Sequence, residues 1–585
     1  MRHNHNEFSE VAIARFDAAE SAAQRAAQYG RLRDSLRELV GMIGGMRRYI
    51  KATDTVFIKP NLTAGMPTET GGTTDVFFAE AVVELVREAG AARIIVGECT
   101  GNESRSIESL TNLGYKDMCE RQGVEMADLD FAEFTDIAVE NPKYKKTLRL
   151  PTIFWESDVF ISVPVLKTHV SAGITVAIKN GFGLIPDTAK TDAHRDNAIE
   201  KVIADVCAAK PAALVFVDGR IGSEGIAGGS DFEHPIRANL IMASNDPVAT
   251  DAVAARLMRQ NPRVSHVRWA AEQGAGNDRP EYILIRGLSV EEAAVNYMSP
   301  ADQIMRSTRG KVKIYDLGAC SRCNSNAASA MHRYSYNPAS LLAPVEAVTG
   351  PGEWAAPGEI NPRTLLLGDC VQQKYRTCGK WIGGCPVNMG EYMKALAEFD
   401  IVCSQCERTV KKVLDDALGS GGGGESELTA NAGDDESGGK ASEGGGEGCG
   451  IVSDNDSKAV CDGEGGKAGS NGEGGGIANE GGCKNTRDSY ADIAAALPYV
   501  RILASNKTVY QGRHNKADMD DFLFAAGKCL SSYIRNHGRR VHKYHDVDVT
   551  EYAVFAGGCP IGEDGVVAGL RELIAKMRQK GKICP

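Results

Sequence analysis

The chain has no apolar run of the roughly 18 residues that a membrane-spanning helix needs. The expectation is therefore no membrane insertion. Its first residues, MRHNHNEFSEVAIARF, lack the apolar stretch of a secretory signal, so a cytoplasmic location is expected. Basic charge is also scarce. Residues 419–484 carry 4 lysines against 13 acidic side chains, a net −9 out of the total −11. The remainder is close to neutral and shows none of the basic excess of a nucleic-acid binder, so no nucleic acid is expected as partner. A G-x-G-x-x-G spacing is missing after "RIIVGE", and neither "GGTTD" nor "GSEGIAGGS" matches a P-loop. The first absence argues against a dinucleotide fold; the two Gly-rich turns could hold phosphate without being a P-loop.

What the chain has is length, an apolar share large enough for real cores, and cysteine. Its 585 residues, 43% apolar, point to two or three domains. Residues 1–50 read as a helical segment, from apolar residues at helical spacing. From 51 to 292 short β-rich runs ("TVFIKPN", "ARIIVGE", "DVFISVPVLK", "AALVFVDG") alternate with amphipathic stretches such as "DVFFAEAVVELVREAG". That alternation predicts α/β structure, a mostly parallel sheet flanked by helices. A second, cysteine-rich α/β domain is expected over 311–418 plus 488–585. It is interrupted by 419–487, a Gly-, Ser- and acid-rich stretch whose composition cannot bury enough apolar surface to order the chain; a disordered insert is expected.

In parallel α/β sheets, ligands bind at the carboxyl ends of the strands. The polar residues of the first domain fall there in the sequence. Lys59 and Asn61 follow "TVFI", and Glu98 follows "RIIVG". Lys167, Thr168 and His169 follow "VFISVPVL", and Asp218 and Glu224 belong to "VDGRIGSEG". The stretch "VPVLKTHVSAGITVAIKNGFG" adds Lys179 and Asn180. Lysines and an amide converging on a cleft suit a small anion, a carboxylate or a phosphate. Lys167, His169 and Lys179 are the candidate acid–base groups; Lys59, Asn61, Glu98, Asn180, Asp218 and Glu224 are the candidate substrate contacts.

The motifs "VFIKPN", "VGECTG", "SDVFISVPVLKTH", "IKNGFG", "VDGRIGSEG" and "NDPVATDAVAA" together resemble the family called domain of unknown function 362, over about residues 54–290. The resemblance implies an association with iron–sulfur segments. Where the family pattern places R-x-x-x-H after the second lysine, this chain has His194–Arg195 in "TDAHRDN". A fainter likeness links the same region to the N-terminal domain of nickel-pincer lactate racemases.

Sixteen cysteines stand in a chain without an export signal, which favours metal or redox use over disulfides. Cys99, Cys119 and Cys207 read as buried small apolar residues. The later ones repeat an order, C-x-x-C, G-x-C, G-G-C-P. The first copy is Cys320, Cys323, Cys370 and Cys385; the second is Cys403, Cys406, Cys529 and Cys559. Four thiolates are what a 4Fe–4S cluster takes, and neighbouring glycines let backbone approach it. One or two clusters are expected. Zinc is the alternative, with Cys320/Cys323 and Cys403/Cys406 forming one four-cysteine site. The order resembles the proximal-cluster pattern of nickel–iron hydrogenase small subunits, which implies a cluster rather than hydrogenase activity; "CSQCERTVKKVL" is similar to segments of heterodisulfide-reductase subunits.

The leading expectation is an iron–sulfur redox enzyme, or enzyme subunit, acting on a small anionic metabolite, with an electron-transfer protein as possible partner. Two rivals stay open. One is a non-redox isomerase or lyase using Lys167 and His169, with zinc or metal-free thiols behind. The other is a scaffold whose acidic insert meets a basic partner.

Overall fold

The computed structural model describes residues 8–100, 105–227, 232, 234–335, 341–399, 410, 412–414, 416, 500–504, 507–511, 522–526, 553–556 and 563–579. For the strands between 500 and 556 it describes the backbone alone. The expected insert at 419–487 lies outside these residues, as do Cys403, Cys406, Cys529 and Cys559.

The first sheet is built from β1 (Ser9–Arg15), β2 (Thr55–Pro60), β3 (Arg93–Glu98) and β4 (Glu125–Asp128). A separate ribbon, β5 (Phe134–Ala138) with β6 (Thr147–Pro151), stands beside it. The sheet continues with β7 (Val159–Val163), β8 (Val165–His169), β9 (Gly173–Thr175), β10 (Leu214–Ser223), β11 (Pro235–Ile236), β12 (Leu240–Ser244) and β13 (Ile283–Gly287). Its main path runs β13-β1-β12-β10-β7-β2-β3-β4, and along it β12 alone runs against the rest. The expected mostly parallel α/β sheet is therefore present. Its strands are buried on both faces because alternate residues enter two different cores. Val56 and Ile58 join helices Ala22–Met42 and Val76–Ala89, whereas Phe57 joins helices Ile199–Ala209 and Pro247–Leu257.

Two expectations are corrected. The segment 1–50 is not wholly helical. Ser9–Arg15 is a strand, antiparallel to β12 and parallel to β13. Its Val11 and Ile13 face one core and Ala12 the other, all fully buried. The alanine-rich run that follows, helix Ala22–Met42, masked this period-two pattern. Second, "DVFISVPVLK" is two strands. Pro164 separates β7, which pairs with β2, from β8, which pairs with β10 and turns back as β9. Lys167 and His169 therefore lie within a strand of a hairpin rather than past a strand's end.

The second sheet comprises β14 (Val312–Asp316), β15 (Val345–Thr349), β16 (Thr364–Leu367) and β17 (Lys380–Ile382), all parallel and in sequence order. Helices Ser321–Met331 and Met389–Glu398 cover it. Its core also takes in Val170 and Ile226 of the first domain, so the two sheets share a packed boundary. A third sheet has β18 (Val500–Ala504), β19 (Lys507–Gln511), β20 (Phe522–Ala526) and β21 (Ala553–Ala556), with β18, β20 and β21 parallel. The pair β20/β21 repeats β16/β17 in direction and register: Ala526 faces Ala556 as Leu367 faces Ile382. Each of these four strands ends three residues before a cysteine of the repeated signature. Among the described residues, no helix is long and apolar enough to cross a membrane.

Candidate functional site

The carboxyl ends of β2 and β3, the hairpin β8–β9 and the short helix Ala177–Asn180 bring seven of the candidate residues together. Lys59 is 1% exposed; its Nζ donates to the Glu98 carboxylate, to Pro60 O at 3.2 Å and to Asn180 Oδ1 at 3.2 Å. Glu98 also accepts from the backbone N–H groups of Leu62 and Cys99, both at 2.9 Å. Lys167 Nζ donates to Asn61 Oδ1 at 2.9 Å and to Gly72 O at 2.8 Å, and lies over the Phe232 ring. Asn61 Nδ2 donates to Asn180 Oδ1 at 3.2 Å, while Asn180 Nδ2 donates to Lys59 O at 2.9 Å. Gly183 closes this cluster: a Cβ there would stand 2.8 Å from both Lys59 Nζ and Glu98 Oε1, so "IKNGFG" requires glycine at that step.

Charge is poorly compensated in this cluster. Glu98 pairs with Lys59 and acts on Lys167, while the charge acting on Lys179 is that of Lys59. Burial lowers Lys59 and Lys167 from the usual ammonium range, Glu98 opposing the shift in both. Burial and then Lys59 bring Lys179 down to about 7. The Lys179 ammonium has no hydrogen bond among the described residues and lies 5.8 Å from the Phe182 ring centre. His169 is held well below its usual range by burial, then by Lys179 and Lys167; its Nδ1 accepts from Ser171 N at 3.0 Å. An anion reaching Lys179 would restore its positive charge, because it supplies the partner that the amine lacks.

Asp218 and Glu224 do not join this cluster. Asp218 is bound by Arg220 through two contacts of 2.8 Å and accepts from Asp75 N at 3.3 Å. Glu224 accepts from Met298 N at 2.7 Å. Both hold loops. Two neighbours carried less weight in the sequence reading than their positions warrant. Lys190 Nζ contacts Cys99 Sγ at 2.7 Å and Asp187 at 3.1 Å, and the thiol is pushed up to about 12 by burial, with Lys190 opposing. His194 is lowered by burial and by Lys179, and its ring meets Phe182 edge-on. Helix Asp187–Arg195 sets Lys190 and His194 four residues apart, on one face; that spacing was visible in "DTAKTDAHR".

The second sheet presents thiols by the same rule. Cys320 and Cys323 follow β14, Cys370 follows β16 and Cys385 follows β17, all at carboxyl ends. Gly368, at φ +97°, lies among them: a Cβ there would stand 3.2 Å from Cys323 Sγ and 3.7 Å from Cys370 Sγ. A hydrogen bond from Cys323 lowers the Cys320 thiol to about 5 and raises Cys323. Cys370 is raised by burial and by the charges of Cys320 and Cys385. Among the described residues, no three His, Cys, Asp or Glu side chains stand at metal-holding separation. The donor chemistry nonetheless is that of a thiolate-bound centre: four thiols at adjacent strand ends and a glycine beside two of them, with the Asp369 carboxylate engaged by Gly384 N at 2.8 Å. Cys378 packs instead with Trp354 and Val371.

The family comparison bears on the first of these two regions. Residues 56–256 match the family model described as domain of unknown function (DUF362). That stretch contains Lys59, Asn61, Glu98, Lys167, His169, Lys179 and Asn180, and none of the signature cysteines. A thylakoid-associated protein of Synechocystis sp. is 28% identical over 240 residues, 40% of this chain and 72% of its own. Among solved structures, the lactate racemase apoprotein from Thermoanaerobacterium thermosaccharolyticum aligns at 9% identity and a TM-score of 0.30, over 59% of this chain and 69% of its own. A Thermotoga maritima protein aligns at 14% identity and a TM-score of 0.23, over 32% of this chain and 50% of its own.

Proposed function

We propose that this chain is an iron–sulfur redox enzyme, or the subunit of one, that binds a small anionic metabolite in the DUF362 region. The observation that carries this reading is the placing of four thiols at the carboxyl ends of the second sheet, with Cys323 and Cys370 both close to Gly368 and the C-x-x-C turn bonded directly to the domain that holds the lysines. Ser321, inside the C-x-x-C turn, receives the first domain's Ser265 N–H on its hydroxyl at 2.8 Å and donates its own N–H to Arg263 O at 2.9 Å. A 4Fe–4S cluster on Cys320, Cys323, Cys370 and Cys385 would supply single electrons. Lys59 and Lys167 are held by Glu98 and Asn61, so they set the field of the pocket. Lys179 is the group with a free valence for the anion and, near neutrality, for a proton. His169, kept neutral with its Nδ1 taken by Ser171 N, offers Nε2–H as a donor there. Cys370 and Cys385 are exposed, which gives an electron-transfer protein its approach.

A second reading rests on the Lys179 amine itself: an acid–base isomerase or lyase needs a group that titrates near neutrality and needs no cluster. Anaerobic purification with iron and sulfide analysis, and electron paramagnetic resonance after dithionite reduction, separates the two. About four irons per chain, abolished by Cys385→Ser, supports one cluster on the described thiols. About eight irons, halved by Cys385→Ser, adds a second cluster on Cys403, Cys406, Cys529 and Cys559. Zinc without sulfide, or no metal, ends the redox reading and leaves the acid–base one.

A further inference from the structure

Three ionisable side chains between the two regions are fully buried and belong to neither. Glu200, on helix Ile199–Ala209, accepts from Ser321 Oγ at 2.5 Å and from Arg322 Nη1 at 3.4 Å. Ser321 and Arg322 are the two residues enclosed by Cys320 and Cys323. On its other side Glu200 Oε1 stands 3.5 Å from His266 Nδ1. His266 Nε2 stands 3.8 Å from Asp251 Oδ2. Asp251 in turn accepts from Ala177 N at 2.7 Å and Ile178 N at 3.2 Å, the opening residues of the helix that ends in Lys179 and Asn180. Glu200, His266 and Asp251 are each 0% exposed.

We infer that the row Glu200–His266–Asp251 couples the cysteine loop to the lysine pocket, so that a metal centre on the thiols fixes the helix that carries Lys179 and Asn180. The inference rests on the reading that Cys320 and Cys323 bind metal. Its physical basis is that buried charges answer only to one another, since no water screens them. Two carboxylates face Arg322 and the imidazole of His266. Burial alone would lower that ring; Asp251 and Glu200 outweigh it and raise it, so a cationic His266 balances the row. The row is also slack. At 3.5 and 3.8 Å the ring makes ion-pair contacts, and neither of its nitrogens completes a hydrogen bond. Ordering of the C-x-x-C turn around a metal moves Ser321 and Arg322, draws Glu200 with them, and lets those contacts close toward Asp251. Glu200, His266 and Asp251 are positioning residues in this account.

Hydrogen exchange measured by mass spectrometry tests this on the full chain, as purified anaerobically and after removal of metal by a chelator. In the wild type, exchange over residues 173–184 should be about tenfold slower with metal bound, the size of an ordinary coupling between sites. In His266→Gln and Asp251→Asn that difference should vanish while metal content stays. A wild type with equal exchange in both states, or variants that keep the difference, overturns the inference while leaving the cluster untouched. If either variant fails to fold, Ser321→Ala removes the two hydrogen bonds of that hydroxyl, to Glu200 and from Ser265 N, but no charged side chain, and should shrink the difference; an undiminished difference overturns the coupling. If the thiols take up no metal, the redox reading falls first. The row is then tested by Arg322→Gln, which should speed exchange over 173–184 and leave 93–98 unchanged. Unchanged exchange over 173–184 overturns it.

Discussion

The lysine pocket and the thiol cradle are two solutions to one placement rule. Each stands at the carboxyl ends of parallel strands, where backbone turns toward helices and side chains are free to converge. They differ in how their polar atoms are held. Lys59, Asn61, Glu98, Lys167 and Asn180 are almost without solvent and bind one another. Cys370 and Cys385 face solvent, and Cys320 and Cys323 share a hydrogen bond. The first site is part of the core that makes the domain fold. The second is a rim, and two of its four thiols stand clear of the core.

Substitutions should separate the two sharply. Glu98→Ala leaves Lys59 as a buried cation without its carboxylate. Breaking such a pair costs about 3–5 kcal/mol, to be read as a loss of that size in urea unfolding. Cys385→Ser, on the exposed rim, should leave the metal-free protein within about 0.5 kcal/mol of wild type while abolishing metal uptake. A large stability loss for Cys385→Ser, or none for Glu98→Ala, would break the contrast. Next in size is Gly183→Ala. Its methyl group would press on the Lys59–Glu98 contact at 2.8 Å, and overpacking of that kind costs about 1–3 kcal/mol. The drop in midpoint of thermal unfolding should shrink in the Lys59→Met background, where the ammonium is gone while Glu98 Oε1 still stands in the way.

How much of this was legible in the sequence differs between the two regions for the same reason. The cysteine signature is local: C-x-x-C, G-x-C and G-G-C-P each sit in one loop, and the structure sets the described copy at strand ends as the spacing implies. The lysine set was legible as a set, because Lys59, Glu98, Lys167 and Asn180 each follow a readable strand or turn. What spacing could not show is which acids they meet. Asp218 looked equivalent to Glu98, yet Arg220, two residues on, binds it completely. The strand Ser9–Arg15 was lost in an alanine-rich run, and its partners β12 and β13 lie more than 200 residues away, out of reach of any local pattern. The Glu200–His266–Asp251 row was equally hidden, since its members come from separate helices and share no motif.

The pH response sharpens the comparison further. Lys179 falls to about 7 in the folded chain, well under its unfolded value of 10.5. Between those values the unfolded chain holds the extra proton, so stability should rise with pH from about 7 to about 10.5 and the rise should shrink in Lys179→Met. Anion binding has the opposite sign. Sulfate should bind more weakly as pH climbs through about 7, because the amine loses the charge that sulfate needs. Calorimetric titration at several pH values checks this, with Lys179→Gln expected to flatten the profile.

The smallest effect is expected at Glu224, the candidate that the structure assigns to a loop. Its carboxylate accepts one backbone hydrogen bond, from Met298 N at 2.7 Å. Glu224→Gln keeps an acceptor oxygen at that place and removes only the charge, so the loss should be about 1 kcal/mol or less. Sulfate affinity should be unchanged within error, since Glu224 contacts none of the three lysines. If Glu224→Gln instead tightened sulfate binding as removal of a nearby negative charge would, the loop would belong to the pocket, and its border would have to be drawn to include the carboxyl end of β10.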